Sequence, residues 1–388
     1  MAQKTRTVLD ADNGIYTESL DLNEVYYGPN GAVPIRVTKR RLHGGTRDGV
    51  DIIEVDNGRF SFTIITTRGM GIWKGRCGDV ELKWDSPVHG PVHPRYVPIY
   101  APNGIGWLEG FDEWLVRCGL ESNGAAEFNE HGVLRWPLHG RIANTPARRV
   151  KVTVDSETGE ITVSGVVEEA GLFTKRLALH VTYTTYAGSR KLHVSDHVIN
   201  RSSEPAEFQL LYHINTGAPF LTPGAKMMVP FNSMCPRNAD AASEIDEWDL
   251  YHPPIAGRPE SCFLFDAAVD RDGRTKVLLI NARNDRGLTL SFSKKQFPHF
   301  LIWKLQRPNG DTYVTAMEPC VNFPNTRSFE KKNGRVPILA PGASRLFELT
   351  FEVLPDHGAI SENVHYIQRL QSNAEGTVHQ KPQTDWCE

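Results

Sequence analysis

The chain has 388 residues, of which 40% are hydrophobic and 23% charged, with a net charge of −3. That composition excludes a largely disordered chain, and the charge balance excludes the basic excess of a protein that grips a phosphate backbone or an anionic membrane. A chain of this length buries a substantial core without disulfide staples.

No run of about 20 apolar residues offers a membrane span, and the start, MAQKTRTVLDADNG, lacks the apolar stretch of a secretory signal. The expectation is a cytoplasmic protein. The six cysteines, Cys77, Cys118, Cys235, Cys262, Cys320 and Cys387, include no C-x-x-C pair. They read as reduced thiols rather than a disulfide framework or a zinc cluster.

Taken in chain order, most segments predict strands. Residues 60–66 (FSFTIIT) are β-branched and aromatic and end at Arg68-Gly69. Trp107, Leu108, Phe111, Trp114 and Leu115 fall on one helical face, with Gly119 placed to stop a helix. Residues 150–154 and 161–167 alternate around the turn SETGE, a hairpin pattern. Residues 177–186 and 192–200 alternate around AGSR. Further strands are expected at 208–214, 276–281, 288–292, 300–305 and 346–354, with turns at Asp272-Gly273 and Asn309-Gly310. Ile360, Val364, Ile367 and Leu370 repeat at helical spacing with Ser361 as a cap, and the polar end that follows reads as loose. Many strands, few helices and no βαβ rhythm predict an all-β antiparallel sandwich. The connections 85–106 and 234–259 are long enough to carry or cover a site.

Cofactor signatures are missing: there is no Walker A loop, Rossmann fingerprint or G-x-S-x-G elbow. His193 and His197 on one strand face stand about 13 Å apart, too far for one metal, and His89 and His93 have no third ligand marked nearby. Three segments carry more chemistry. In Leu138-His139-Gly140-Arg141-Ile142, an extended chain would send His139 and Arg141 to one side; a loop histidine and a salt-bridged arginine explain it as well. In the segment from Leu210 to Gly217, an apolar strand ends in His213, Asn215 and Thr216. His213 reads equally as a core histidine and as an acid at the floor of a cleft. In Ala316-Met317-Glu318-Pro319-Cys320, a carboxylate sits among apolar neighbours. It is either salt-bridged or a general base tuned by its surroundings.

The order His-Gly-x-Arg, Tyr-His, Glu-Pro resembles the aldose 1-epimerase (galactose mutarotase-like) superfamily, most closely a bacterial branch that is a domain of unknown function. TTRGMGIWKG, LKWDSP, GIGWLEGFDEWLVRCGL, PLHGRIANTPA, LLYHINTGAPFL and MEPCVNFP carry the resemblance, from about residue 64 to 354. It implies a β-supersandwich of large antiparallel twisted sheets, one domain over 1–355 followed by a C-terminal helix and loose tail over 356–388. It implies His213 as acid and Glu318 as base, and His139 near the sugar ring oxygen with Arg141 beside it. Arg68 is a candidate for sugar hydroxyls, and Asn215 and Trp303 join the substrate-binding set. The family's substrate-binding aspartate has no clear match, although Asp246, Asp249 and Asp266 lie in its interval. Trp73, Trp84, Trp107 and Phe297 are further aromatic candidates, and Lys74, Arg76 and Lys304 could meet an anionic substituent.

The implied reaction opens and recloses a sugar hemiacetal by acid/base catalysis and interconverts anomers; it needs no metal, nucleotide or other cofactor. The implied partner is a small-molecule carbohydrate, with no nucleic acid or membrane, and the oligomeric state is left open, a homodimer included. Two alternatives share the scaffold: a non-catalytic carbohydrate-binding or sensing module, and a lyase or keto-sugar isomerase.

Overall fold

The computed structural model describes residues 3–308 and 310–388; Asn309 of the expected Asn309-Gly310 turn lies outside the described residues. Two large sheets dominate. The first has ten strands, whose central run is Gly287–Ser293, Ser344–Leu354, Lys191–Asn200, Leu177–Tyr186, Glu160–Glu169 and Arg149–Asp155, all antiparallel. Buried and half-buried positions alternate strictly along Glu160–Glu169. One face therefore meets the core and the other meets water, and that is why these strands were legible in the sequence. The hairpins expected around SETGE and AGSR form, with Val154 opposite Ile161 and Thr184 opposite His193.

The second sheet has thirteen strands. Its centre runs Ser261–Ala267, His299–Gln306, Tyr313–Cys320, Gln209–Gly217, Leu115–Leu120 and Gly71–Cys77. Here both faces are covered: every residue of Leu115–Leu120 and Gln209–Gly217 is buried. Leu210, Tyr212, Ile214, Phe265 and Ile302 point into the core between the sheets. Their neighbours Leu211, Leu264 and Leu301 point the other way, into a second apolar cluster with Trp84, Trp107, Phe111 and Phe323. An ion pair crosses the main core: Arg117 of one sheet forks onto Asp196 of the other at 2.5 and 3.0 Å, while the Tyr212 hydroxyl also donates to Asp196.

Three expectations change. The helix expected around Trp107–Leu115 is one short 3-10 turn, Gly106–Gly110, and the chain then enters the strand Leu115–Leu120. Pairing with Gln209–Gly217 overrides the local apolar pattern. Gly110 closes the turn against Arg68, where a Cβ would lie 2.4 Å from a guanidinium nitrogen. The C-terminal helix His357–Gln371 starts earlier than expected, capped by the Asp356 side chain on the Ala359 amide at 2.9 Å rather than by Ser361. The tail after it is docked, not loose. Thr377–Val378 adds in parallel to Phe231–Pro236, Trp386 packs on Phe323 with centroids 5.2 Å apart, and Cys387 is buried. Among the described residues, no helix is long and apolar enough to cross a membrane.

Candidate active site

His213 and Glu318 come from adjacent antiparallel strands of the second sheet. Leu211 pairs with Cys320 and Ile214 with Met317, so the same register sets His213 opposite Glu318 on the face turned away from the main core. His213 Nε2 lies 3.3 Å from Glu318 Oε1, and the two residues are only 4% and 1% exposed. The other ring nitrogen fixes the tautomer. Asn215 Nδ2 donates to the Glu113 carbonyl at 2.8 Å, so Asn215 Oδ1 is the acceptor facing His213 Nδ1 at 2.6 Å. His213 therefore carries its proton on Nδ1 and turns the Nε2 lone pair to Glu318. Glu318 Oε1 makes no hydrogen bond to the protein.

Electrostatics set the resting charge. Burial pushes the Glu318 carboxyl well above the ordinary range; Arg237 opposes this and Glu260 reinforces it. Burial holds His213 at about 3, with His139 adding to the effect. Burial thus disfavours the charged form of both groups.

His139 completes a triangle, its ring 5.7 Å from that of His213 and 4.7 Å from Trp107. Its φ of 57° and the 68° of Gly140 bend the chain sharply. This overturns the expectation that His139 and Arg141 share a side, because the segment is not extended. Gly140 is required here, since a Cβ would sit 2.1 Å from the Ser122 carbonyl oxygen. His139 Nδ1 donates to the Asn123 carbonyl at 2.9 Å, leaving Nε2 as an acceptor, and burial lowers this histidine to about 4. Asn123 is itself locked by a reciprocal amide pair with Asn322, at 3.0 and 2.8 Å.

Aromatic walls surround the three groups. Phe111 and Trp303 pack edge-on to His213, with centroids 5.0 and 5.4 Å away. Trp303 Nε1 donates to Glu260 Oε2 at 2.7 Å. Register places Arg237 on the same face: its amide bonds the Cys262 carbonyl, and Cys262 stands opposite Trp303. One guanidinium nitrogen of Arg237 reaches the Pro324 carbonyl at 3.2 Å. Sequence reasoning missed Arg237 and Glu260. Both lie just outside strand ends, and only the sheet register reveals that they share a face with Glu318.

Of the other residues singled out from sequence, Trp303 stands beside His213. Asn215 orients His213 and is fully engaged by protein groups. Arg68 is enclosed, forking onto Glu113 at 2.8 and 2.7 Å and donating to the Val92 carbonyl. It braces the segment whose Glu113 carbonyl holds Asn215 and Trp84. Arg141 turns to Glu169 of the first sheet, 3.9 Å away. Lys304 is buried against the Trp248 and Leu250 carbonyls. Asp249 pairs with Lys226 and Asp266 with Lys294. Phe297 packs on Tyr212 in the main core.

Residues 47–353 match the family described as a domain of unknown function, DUF4432. The chain belongs to that family. No curated protein sequence matches. Among solved structures, this DUF4432 chain is similar to one described as a "putative aldose 1-epimerase" from Klebsiella pneumoniae, at 29% identity and a TM-score of 0.92, covering 98% of this chain and 99% of that one. A galactose mutarotase-like protein from Clostridium acetobutylicum superposes at a TM-score of 0.56 and 15% identity, covering 79% and 96%. One from Lactobacillus casei does so at 0.52 and 17%, covering 78% and 100%. The DUF4432 chain thus has the galactose mutarotase-like sandwich fold.

Proposed function

We propose that the protein is an aldose 1-epimerase-like enzyme that interconverts the anomers of a sugar. The observation that carries this is the direct opposition of His213 Nε2 and Glu318 Oε1 at 3.3 Å, with an acceptor lone pair on one side and an otherwise unpartnered carboxyl oxygen on the other. Anomer exchange needs one group to take the anomeric hydroxyl proton and another to protonate the ring oxygen. After rotation about C1–C2, the two exchange roles. A positioned acid or base typically contributes about 10²–10⁴-fold. His213 and Glu318 hold these two roles, with one proton between them. Reclosure of the ring reverses them again, so one shared proton serves both directions.

The remaining groups suit sugar recognition. Trp303 and Phe111 offer apolar faces to C–H groups, and His139 Nε2 is an acceptor beside His213. Arg237 and Glu260 flank Trp303 as a donor and an acceptor for hydroxyls, and their opposite charges favour a neutral sugar over an acidic one.

The test is anomer exchange followed by NMR across neutral aldoses, 6-deoxy sugars, uronates and sugar phosphates, with wild type and Glu318→Gln side by side. Acceleration on a neutral sugar class, lost in the variant, is expected. Binding without acceleration of any sugar in the panel would refute the reading.

A further inference from the structure

The C-terminal strap ends against a thiol. Cys387 Sγ lies 3.9 Å from Cys235 Sγ and 3.7 Å from the Pro236 carbonyl. Both cysteines are buried, Cys235 fully and Cys387 to 8% exposure. The chain between Thr377–Val378 and Cys387 is tied at several points. The His379 amide bonds the Met234 carbonyl, the Cys387 amide bonds the Gln383 carbonyl at 2.8 Å, and Arg335 donates to the Asp385 carbonyl at 2.7 Å. Asn325 Nδ2 donates to the Trp386 carbonyl at 2.8 Å, and the neighbouring Pro324 carbonyl is the one that Arg237 grips. The strap is thus joined to the cleft through Asn325, Pro324 and Arg237. Cys235 lies two residues before Arg237 on the same strand face.

We propose that Cys235 and Cys387 form a modification site: a thiol pair oxidised by hydrogen peroxide to a cystine that fastens the C-terminal strap to the strand leading into Arg237. The sulfurs have to close by about 1.9 Å to reach the bond length of a disulfide.

The balance is simple. The Cys387 thiolate, the more accessible of the two, attacks the peroxide O–O bond. A sulfenic acid forms and the departing hydroxide takes a proton to leave as water. The Cys235 sulfur then attacks the sulfenyl sulfur, its proton leaves with the hydroxyl as a second water, and the S–S bond forms. Two thiols lose two electrons and two protons while the peroxide becomes two waters. The hydrogen bond from Cys235 holds the Cys387 thiol below its ordinary value, with Arg237 adding to the effect, and this favours the thiolate as the first nucleophile. In a reducing compartment such a cystine is transient and serves as a sensor rather than a permanent staple.

The readout is covalent and independent of the sugar chemistry. The reduced full-length chain is treated with hydrogen peroxide, denatured, alkylated with N-ethylmaleimide, digested and mapped by mass spectrometry, alongside Cys387→Ser. The expected result is a monomer in which the peptides containing Cys235 and Cys387 are linked in most molecules, reversibly with dithiothreitol. The oxidised wild type should melt higher than the reduced form and resist proteolysis of the tail, with no such change in Cys387→Ser. Quantitative alkylation of both cysteines would overturn the proposal. So would over-oxidation of Cys387 with Cys235 left free, linkage to Cys262 instead, or cross-linked dimers.

Discussion

Replacing Asn215 by alanine removes the group that sets the His213 tautomer. Asn215 Oδ1 accepts from His213 Nδ1 at 2.6 Å, and Asn215 Nδ2 donates to the Glu113 carbonyl at 2.8 Å. The Glu113 carbonyl keeps a second donor, Trp84 Nε1 at 3.0 Å, so it is not orphaned. Losing that hydrogen bond costs about 0.5–1.5 kcal/mol, and leaving the buried Nδ1–H unpaired costs about 1–3 kcal/mol more. The ring can escape the second penalty by moving its proton to Nε2, where Glu318 Oε1 waits 3.3 Å away. That escape consumes the Nε2 lone pair that faces Glu318 and must take up a proton in the exchange. The expectation is therefore a modest stability loss, about 1–2 kcal/mol in urea denaturation, together with a fall in anomer exchange of about 10²–10⁴-fold. Nitrogen-15 NMR of the imidazoles should show His213 with its proton on Nδ1 in wild type and on Nε2 in the variant. Asn215→Asp, which keeps the acceptor, should retain the Nδ1–H form. An alanine variant with wild-type nitrogen shifts and undiminished exchange would refute the reasoning.

Other expectations follow from the same geometry. Glu318→Gln should abolish exchange by about 10² or more, with no loss in melting temperature, because it removes a titratable group from a buried place without changing its volume; a marked loss of stability would contradict this. Burial holds His213 at about 3 and His139 and His299 at about 4. The unfolded chain takes up these protons near 6.5, so the stability they contribute is complete above that pH and is lost as pH falls toward 4. Moving one such group from 6.5 to about 4 is worth at most about 3 kcal/mol. Glu318, raised above 4.5, acts in the opposite sense, its contribution present below that value and lost as pH rises. His299→Gln, which leaves the proposed catalytic pair itself in place, should flatten the decline of melting temperature between pH 7 and 4. Arg117→Met leaves Asp196 buried and unpaired between the sheets and should cost about 3–5 kcal/mol. Adding Asp196→Leu should restore part of that, and an additive double variant would show that the pair is not coupled.

What could be read from the sequence follows from how each strand is covered. Strands of the first sheet face water on one side, so residues 161–167 and 177–186 show alternation and were found nearly to the residue. Leu115–Leu120 is buried on both faces, and without alternation its approach from Trp107 imitates a helix. The same burial hid the site. His213 and Glu318 are far apart in sequence, and only the order of motifs links them there. Their contact depends on the register between Gln209–Gly217 and Tyr313–Cys320, which no local pattern encodes. The fold brings His139 beside His213, but Arg141 does not share its side, because two successive positive φ values break the extended chain that the spacing assumes. Arg237 and Glu260 left no local trace, because each acts through a neighbour in space: Arg237 through Cys262 and Pro324, and Glu260 through Trp303. The tail carries a signal of its own. Trp386 and Cys387 are the apolar end of an otherwise polar stretch. A half-buried tryptophan and a buried thiol need a docking surface, and Phe323 and Cys235 supply it. The docked tail thus packs into the apolar cluster whose Phe111 and Trp303 wall His213, so mutations at Trp386 or Cys387 should be felt at Arg237 before they are felt in the core between the sheets.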